Sequence, residues 1–439
     1  MGHDPASHNG VCPESQRGRG VGAKLLAGDQ PLPACASDRQ AAIVELIMIT
    51  TEHVASQTGS LSPLQPPHRL LFGPGPSMVH PRVQEALSKP IVGHLDPYFF
   101  HVVEDISALL KMVFGTEEAS TLAISGTGSA GMEAAVANFI EPGMKFAVFA
   151  NGYFCDRISE MGRRYGAELV RLEKTWGATF ADDEAVASIR REKPNVVAYV
   201  HAETSTGALQ SGTAICRAAH EVGALAIADC VTSLGAMPVE FDATGMDIAY
   251  SCTQKGLSCS PGLAPMAFSQ RAMNWLRART LPCRSWYLDL KLLWDYYTNL
   301  HRYHHTAPIS LFYALHEALA LIAEEGLQNR WERHHRCHRR FVHDIEAMGL
   351  EMHVPHGQRV WNLNTVRVPA GIDDAKVRKH LMEAFGIEIQ GGFGPLAGKV
   401  FRIGIMGPLA TEGNLTLLLR AFASALTAEG YKPPLAAAA

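Results

Sequence analysis

The sequence predicts an α/β protein built on a mainly parallel sheet, followed by a smaller α+β unit. Three observations carry this reading. Short apolar runs at Thr121–Ser125, Lys145–Asn151, Glu168–Leu172, Val196–Val200, Leu225–Ala228 and Asp247–Ser251 are separated by stretches long enough for crossover connections, which parallel pairing requires. A glycine loop, Gly126-Thr-Gly-Ser-Ala-Gly131, joins the first run to a helical stretch from Met132 to Phe139. After a long helical run over Pro308–Glu325 the pattern changes to a basic helix, Trp331–Met348, and then to short strands near Glu351–Val354, Asn364–Pro369, Ile387–Gln390 and Val400–Ile403. Helices near Asp374–Phe385 and Glu412–Thr427 complete that second unit. The expected division is an arm over 1–66, a large unit over 67–325, a small unit over 326–430 and a tail over 431–439.

The 439 residues are 47% hydrophobic, enough for more than one core. A net charge of −4 gives no bulk basic surface for nucleic acid or an anionic membrane, and no apolar run is long enough to span a bilayer. Nine cysteines without a CxxC pair read as reduced core thiols, the pattern of a cytoplasmic protein.

Taken in order, residues 1–66 are rich in Gly, Ser, Pro and Ala, with one apolar run at Ala41–Ile49. No basic n-region is followed by a proper h-region and cleavage site, so a signal peptide is not expected. Residues 1–47 are expected to be dispensable, with Met48 as an alternative beginning; the competing expectation is a short docking helix at Ala41–Ile49. Phe72-Gly-Pro-Gly-Pro-Ser77 can be neither helix nor strand interior and reads as a rigid bend. Pro81–Ser88 begins a helix, Gly93–Tyr98 is a loop, and Phe99–Phe114 has the apolar spacing of an amphipathic helix.

Gly126, Gly128 and Gly131 satisfy a literal GxGxxG, which raises a dinucleotide-binding unit as a rival. That chemistry wants an acidic residue at the end of the next strand, to hold a ribose. The next strand ends in Asn151. The loop is better read as backbone amides and hydroxyls at a helix N-terminus that hold one phosphate.

Gly223-Ala-Leu-Ala-Ile-Ala-Asp229 is an apolar strand ending in a carboxylate, and Asp247–Ser251 runs out into a polar loop carrying Lys255. One crossover separates the two, so both side chains should emerge at the same carboxyl edge, where open α/β sheets bind ligands. A lysine there is costly unless neutralised. A Schiff base with pyridoxal phosphate neutralises it, and a carboxylate facing the pyridinium nitrogen is the matching partner. The bland alternative is a solvated lysine and a helix-capping aspartate.

From Leu70 to about Leu426 the chain resembles the class V, fold-type I aminotransferases, in the branch that uses alanine or serine with glyoxylate or pyruvate. Phe72–Ser77, Ile124-Ser-Gly-Thr-Gly128, Glu203-Thr-Ser-Thr-Gly207, Gln254-Lys255, Tyr303-His-His-Thr306 and Lys399-Val-Phe-Arg-Ile-Gly404 carry the resemblance, in family order. It implies a seven-stranded pyridoxal-phosphate fold and ping-pong transfer between a small amino acid and a 2-oxo acid. It also implies roles. Lys255 is the covalent anchor and acid–base, and Asp229 pairs with the ring nitrogen. Thr127, Gly128, Ser129 and Gln254 hold the phosphate, Phe154 stacks on the ring where many relatives have Trp, Thr204 meets the ring hydroxyl, and Val231 belongs to the same set. Arg402 grips the substrate carboxylate; without the resemblance a strand-face salt bridge is as good a reading. Tyr303 and Thr306 reach the phosphate of a neighbouring subunit, which implies a homodimer with shared sites.

Rivals remain. A cysteine desulfurase needs a mobile cysteine in the small unit, and Cys337, the last cysteine, falls in a helix. His301, His304 and His305, and His334 with His338 and Cys337, suggest a metal, but Arg333, Arg336, Arg339 and Arg340 would repel a cation. No metal is expected.

Overall fold

The structure, a computed structural model, describes residues 62–298 and 300–433. The expectations for residues 1–47, for Ala41–Ile49 and for residues 434–439 of the tail lie outside them.

Seven strands form the central sheet: β1 (Ser120–Ser125), β2 (Lys145–Ala150), β3 (Glu168–Glu173), β4 (Val196–Val200), β5 (Leu225–Asp229), β6 (Ile248–Tyr250) and β7 (Leu263–Phe268), in the order β1-β7-β6-β5-β4-β2-β3. All pairings are parallel except those of β7, which is antiparallel to both β1 and β6. Strands β4, β5, β6 and β7 are buried along their whole length, as a sheet covered on both faces demands. Strand β7 was not expected from sequence. Its run Leu-Ala-Pro-Met-Ala-Phe contains Pro265, which lacks an N–H and argues against a central strand. The Pro265 carbonyl still accepts from Ser251 N–H at 2.8 Å.

Helix α1 (Pro97–Phe114) starts at Asp96, whose side chain caps Tyr98 N–H, and stops at Gly115 in the left-handed region. Helix α2 (Gly128–Phe139) begins directly at the glycine loop, and α3 (Tyr153–Arg164) begins after β2. Helix α4 (Ile309–Glu325) is separated by a single glycine from α5 (Leu327–Ala347), the basic helix of the sequence reading.

A three-stranded antiparallel sheet follows, with β8 (Leu363–Arg367) and β9 (Gln390–Gly391) on either side of β10 (Val400–Gly404). Helices α6 (Asp374–Phe385) and α7 (Glu412–Ala428) accompany it. The segment near Glu351–Val354 makes only an isolated bridge, Met352 to Val366, and is not a strand. Ile387–Gln390 splits, because Ile387–Glu388 pairs in parallel with Leu70–Leu71 while Gln390–Gly391 pairs with β10. The apolar side chains around the two sheets gather in separate clusters, one from Val83 to Ile322 and one joining Phe72 to residues of α5–α7 and β10. Among the described residues no helix is long and apolar enough to cross a membrane.

Candidate active site

The register of the central sheet sets Asp229 beside Tyr250 at the carboxyl ends of two adjacent parallel strands. Asp229 is buried; it accepts from Tyr250 Oη–H at 2.9 Å and from Val231 N–H at 2.9 Å. Burial outweighs both donors and pushes its carboxyl up to about 7. Lys255 stands five residues beyond Tyr250 and is also buried. Burial lowers its ammonium to about 8, with Arg402 acting in the same direction against the neighbouring Cys252, Asp229 and Glu203. Lys255 Nζ donates to the Pro74 carbonyl. The bend containing Pro74 explains its own glycine. Gly75 has φ +119°, and a Cβ there would come within 2.8 Å of Lys255 Cδ.

Lys255 and Asp229 face a cavity of about 290 Å³, at the small end for ligand pockets. Among the described residues they form no ion pair with each other. Of the residues expected from sequence, Thr127, Gly128, Ser129, Phe154, Asp229, Val231, Gln254 and Lys255 line it. At one end lies the N-terminus of α2, where Ala130 and Gly131 N–H donate to Thr127 O while those of Gly128 and Ser129 have no acceptor among the described residues. The Thr127 side chain makes no capping bond there, and Gly128 fits because a Cβ would press on Cys252 and Val231. Gln254 Oε1 is buried without a partner at the same cavity. Two free backbone donors at a helix N-terminus, a carboxylate buried at the side and an amine close to neutrality fit a phosphorylated pyridine aldehyde.

Arg402 sits on β10, the central strand of the second sheet, and is 3% exposed. Its Nε donates to Gly391 O at 2.7 Å and its Nη1 to Thr204 O at 3.4 Å, and its guanidinium lies 3.9 Å from the Phe393 ring centre. No carboxylate pairs with it among the described residues, so the strand-face salt bridge is not what holds it. Burial lowers it to about 10. Phe393 lines the cavity and so connects this guanidinium to it. Thr204 is buried and its hydroxyl meets that of Thr232 rather than the cavity.

Tyr303 and Thr306 are exposed and do not line the cavity. The two histidines between them are buried. His305 Nε2 lies 2.7 Å from Ser125 Oγ, at the end of β1, and His304 stacks on Trp286 with ring centres 4.2 Å apart. The segment is thus pinned by its inner pair while its outer pair faces solvent. Of the other histidines that suggested a metal, His334 meets Arg330 O and Gly407 N–H and His338 meets Asn364, while His301 lies against the Phe100 ring.

The class-V aminotransferase family model matches residues 70–403. The chain is 37% identical over 377 residues to the alanine–glyoxylate aminotransferase of Callithrix jacchus, covering 85% of this chain and 91% of that one. It superposes on a crystal structure of alanine–glyoxylate aminotransferase from Nostoc sp. with a TM-score of 0.82 and 44% identity, over 85% of this chain and 99% of the other. The ureidoglycine–glyoxylate aminotransferase of Bacillus subtilis is similarly close, with a TM-score of 0.83 and 36% identity over 85% and 97%. The chain belongs to the class V aminotransferases.

Membership of this aminotransferase family removes the dinucleotide reading of the glycine loop, and it makes an amino acid and an oxo acid the substrate types. Four residues of the site went unread in the sequence. Arg157 lines the cavity, donates to Ser129 Oγ at 2.8 Å and lies 4.9 Å from the Phe154 ring centre; its spacing of three from Phe154 on one helix face was the available signal. Tyr250 was visible as the last residue of the strand before Lys255. Glu203, fully buried, accepts from Ser205 and from Phe154 N–H and so orients the aromatic residue. Phe393, on the loop before Arg402, had no signal.

Proposed function

We propose that this class V aminotransferase uses pyridoxal 5′-phosphate to move an amino group from a small amino acid, alanine or serine, to glyoxylate or pyruvate. The observation that carries the reading is the pair Lys255 and Asp229, buried at one cavity, the amine lowered to about 8 and the carboxyl raised to about 7. When bound, the cofactor supplies an electron sink and a carbonyl that carries the amino group.

The chain's own residues do the rest. Lys255 is uncharged in a useful fraction of molecules near neutral pH, so Nζ serves as nucleophile and then as the base that takes and returns the substrate α-proton. Asp229, held by Tyr250 and Val231, keeps a proton on the ring nitrogen. Thr127, Gly128, Ser129 and Gln254 hold the phosphate, with Arg157 adding charge beside Ser129. Phe154 and Val231 confine the ring; Thr204, whose hydroxyl is spent on Thr232, would meet the ring hydroxyl only by turning from that partner. Arg402, lacking a carboxylate of its own, takes the substrate's with two parallel donors.

We further read the enzyme as a homodimer with shared sites. Tyr303 is 56% exposed, and Leu95, Tyr98, Leu300 and Trp286 are exposed around the same segment. A face of this kind is suited to a second copy, whose phosphate site Tyr303 and Thr306 would complete.

The test is an absorbance scan of the purified protein, borohydride reduction with peptide mapping, and a panel of amino donors with glyoxylate and pyruvate. The expected result is a visible cofactor band, a reduced adduct on Lys255, and turnover with small donors. An adduct on any other lysine, or none, sinks the reading.

A further inference from the structure

One carboxylate, Glu325, ends helix α4, and two arginines of α5 converge on it. Arg330 Nη1 lies 3.0 Å from Glu325 Oε2, and Arg333 Nε lies 2.6 Å from Glu325 Oε1. Arg333 Nη2 also donates to Glu325 Oε2 at 3.0 Å, and the remaining nitrogens of each guanidinium reach elsewhere. Arg330 donates from Nε to Gly235 O at 2.7 Å and from Nη2 to Gly256 O at 2.8 Å. Gly256 directly follows Lys255. Arg333 Nη1 donates to Gly407 O at 2.8 Å and to Ala410 O at 2.9 Å, in the turn that follows the strand of Arg402. His334, next to Arg333, accepts from Gly407 N–H at 3.0 Å.

These struts border a cavity. A cavity of about 350 Å³ lies behind the lysine turn, lined by Leu257, Ser258, Arg330, Arg333 and Gly407 among others. Ser258, with φ +55°, leaves its buried Oγ without a partner there. A turn beside a void is held by its hydrogen bonds or it sags. Arg330 is 6% exposed, a costly place for a guanidinium that did nothing but fill space.

We propose that Arg330, Glu325 and Arg333 form a clamp that fixes Lys255 relative to Arg402, one arginine holding each turn and the shared carboxylate tying them together. They are positioning residues, and the proposal rests on the reading of Lys255 and Arg402 given above. A neutral substitute at either arginine should loosen its own turn, and one at Glu325 should loosen both.

The test compares the full chain with Arg330→Gln, Arg333→Gln and Glu325→Gln. Hydrogen–deuterium exchange at peptides over 256–259 and 405–410 reads the two turns without any cofactor. Titration of cofactor-free protein with pyridoxal phosphate, and of the loaded enzyme with propionate, reads the two ends of the site. Arg330→Gln should speed exchange at the first turn and weaken pyridoxal phosphate about tenfold, equivalent to about 1.4 kcal/mol, leaving propionate within about twofold. Arg333→Gln should do the reverse, and Glu325→Gln should move both.

Values within about twofold of wild type in folded variants overturn the clamp, as does a loss at both ends that tracks melting temperature in every variant. If Arg330→Gln does not fold, Arg330→Lys, which keeps the charge and loses the fork, takes its place under the same criteria. A wild type that binds no pyridoxal phosphate would sink the proposed function instead, and the exchange data would still decide the clamp.

Discussion

Two regions of the molecule carry residues that the proposed function assigns to the cofactor, and they treat those residues in opposite ways. At the carboxyl edge of the central sheet, Asp229 and Lys255 are buried and each is pushed by burial toward its neutral form. In the Leu300–Thr306 segment, Tyr303 and Thr306 face solvent while His304 and His305 are inside. Burial of an ionisable pair without an ion pair between its members is a cost that folding alone would not retain. Exposure of an apolar aromatic ring pinned from behind is a cost of another kind. On the proposed function both would be relieved by something added, a charged ring at the first and a second subunit at the second. Unexplained cost in a folded chain therefore points to what binds there.

The sharpest break of this comparison is at the lysine. On the proposed function Lys255→Ala removes both the anchor and the proton carrier, and turnover should fall by roughly 10⁴-fold or more, since positioned acid–base transfer alone contributes up to about that factor. The variant should still take up cofactor without a covalent link, measurable by equilibrium dialysis. Turnover near wild type would show that the buried amine is structural.

Arg402 belongs with the buried pair, being inside and without a carboxylate. Arg402→Ala should lower kcat/KM by about a hundredfold, because two hydrogen bonds to a charged group contribute roughly 1.5–3 kcal/mol each and part is recovered by water. Arg402→Lys should recover a fraction of that, keeping charge but losing the fork. Stopped-flow half-reactions with alanine, serine and glyoxylate measure both; rates within about threefold of wild type would remove Arg402 from the substrate.

Much of the first region was legible in the sequence and little of the second. The apolar strand ending in Asp229, the strand before Lys255 and the glycine loop are local patterns, and the sheet simply aligns their ends. Arg402 stood out because it interrupts an apolar strand. What stayed hidden depends on contacts across the chain. The bend at Pro74 meets Lys255 across 181 residues, and Thr204 meets Arg402 across 198. Strand β7 was masked by Pro265, whose missing N–H argues locally against the position that tertiary packing gives it. The inward turn of His304 and His305, with Tyr303 outside, is a consequence of Ser125 and Trp286, and no periodicity in Tyr-His-His-Thr announces it.

The exposed segment can be tested against the buried pair in one experiment. Subunits carrying Lys255→Ala and subunits carrying both Tyr303→Ala and Thr306→Ala should each be nearly inactive. Refolded together, a mixed dimer has one site with an intact lysine and intact residues from its neighbour. Random pairing makes half the dimers mixed, so roughly a quarter of wild-type activity should return. No gain over either parent would mean that the segment serves its own subunit or only packs.

The smallest effect expected is on stability, and its sign follows from the raised carboxyl of Asp229. Its ordinary value is 3.8 and its folded value about 7. The folded chain therefore binds this proton more tightly than the unfolded one. The stability that results is fully present below about pH 4, and it is lost as pH rises through 7. Asp229→Asn removes the titration. Cofactor-free Asp229→Asn should thus melt above the cofactor-free wild type at pH 8 and lose that advantage near pH 4. The gain is at most about 4 kcal/mol, three pKa units' worth, and is reduced because the amide offers one acceptor where Tyr250 and Val231 each had an oxygen. With cofactor loaded the order should reverse, because the ring's positive charge stabilises the carboxylate and has nothing to offer the amide. Differential scanning calorimetry at the two pH values, with and without pyridoxal phosphate, measures all four cases. A cofactor-free variant that is less stable than wild type at pH 8 would show that the bonds from Tyr250 and Val231 outweigh burial, and that the carboxylate at this sheet edge is at ease without a partner.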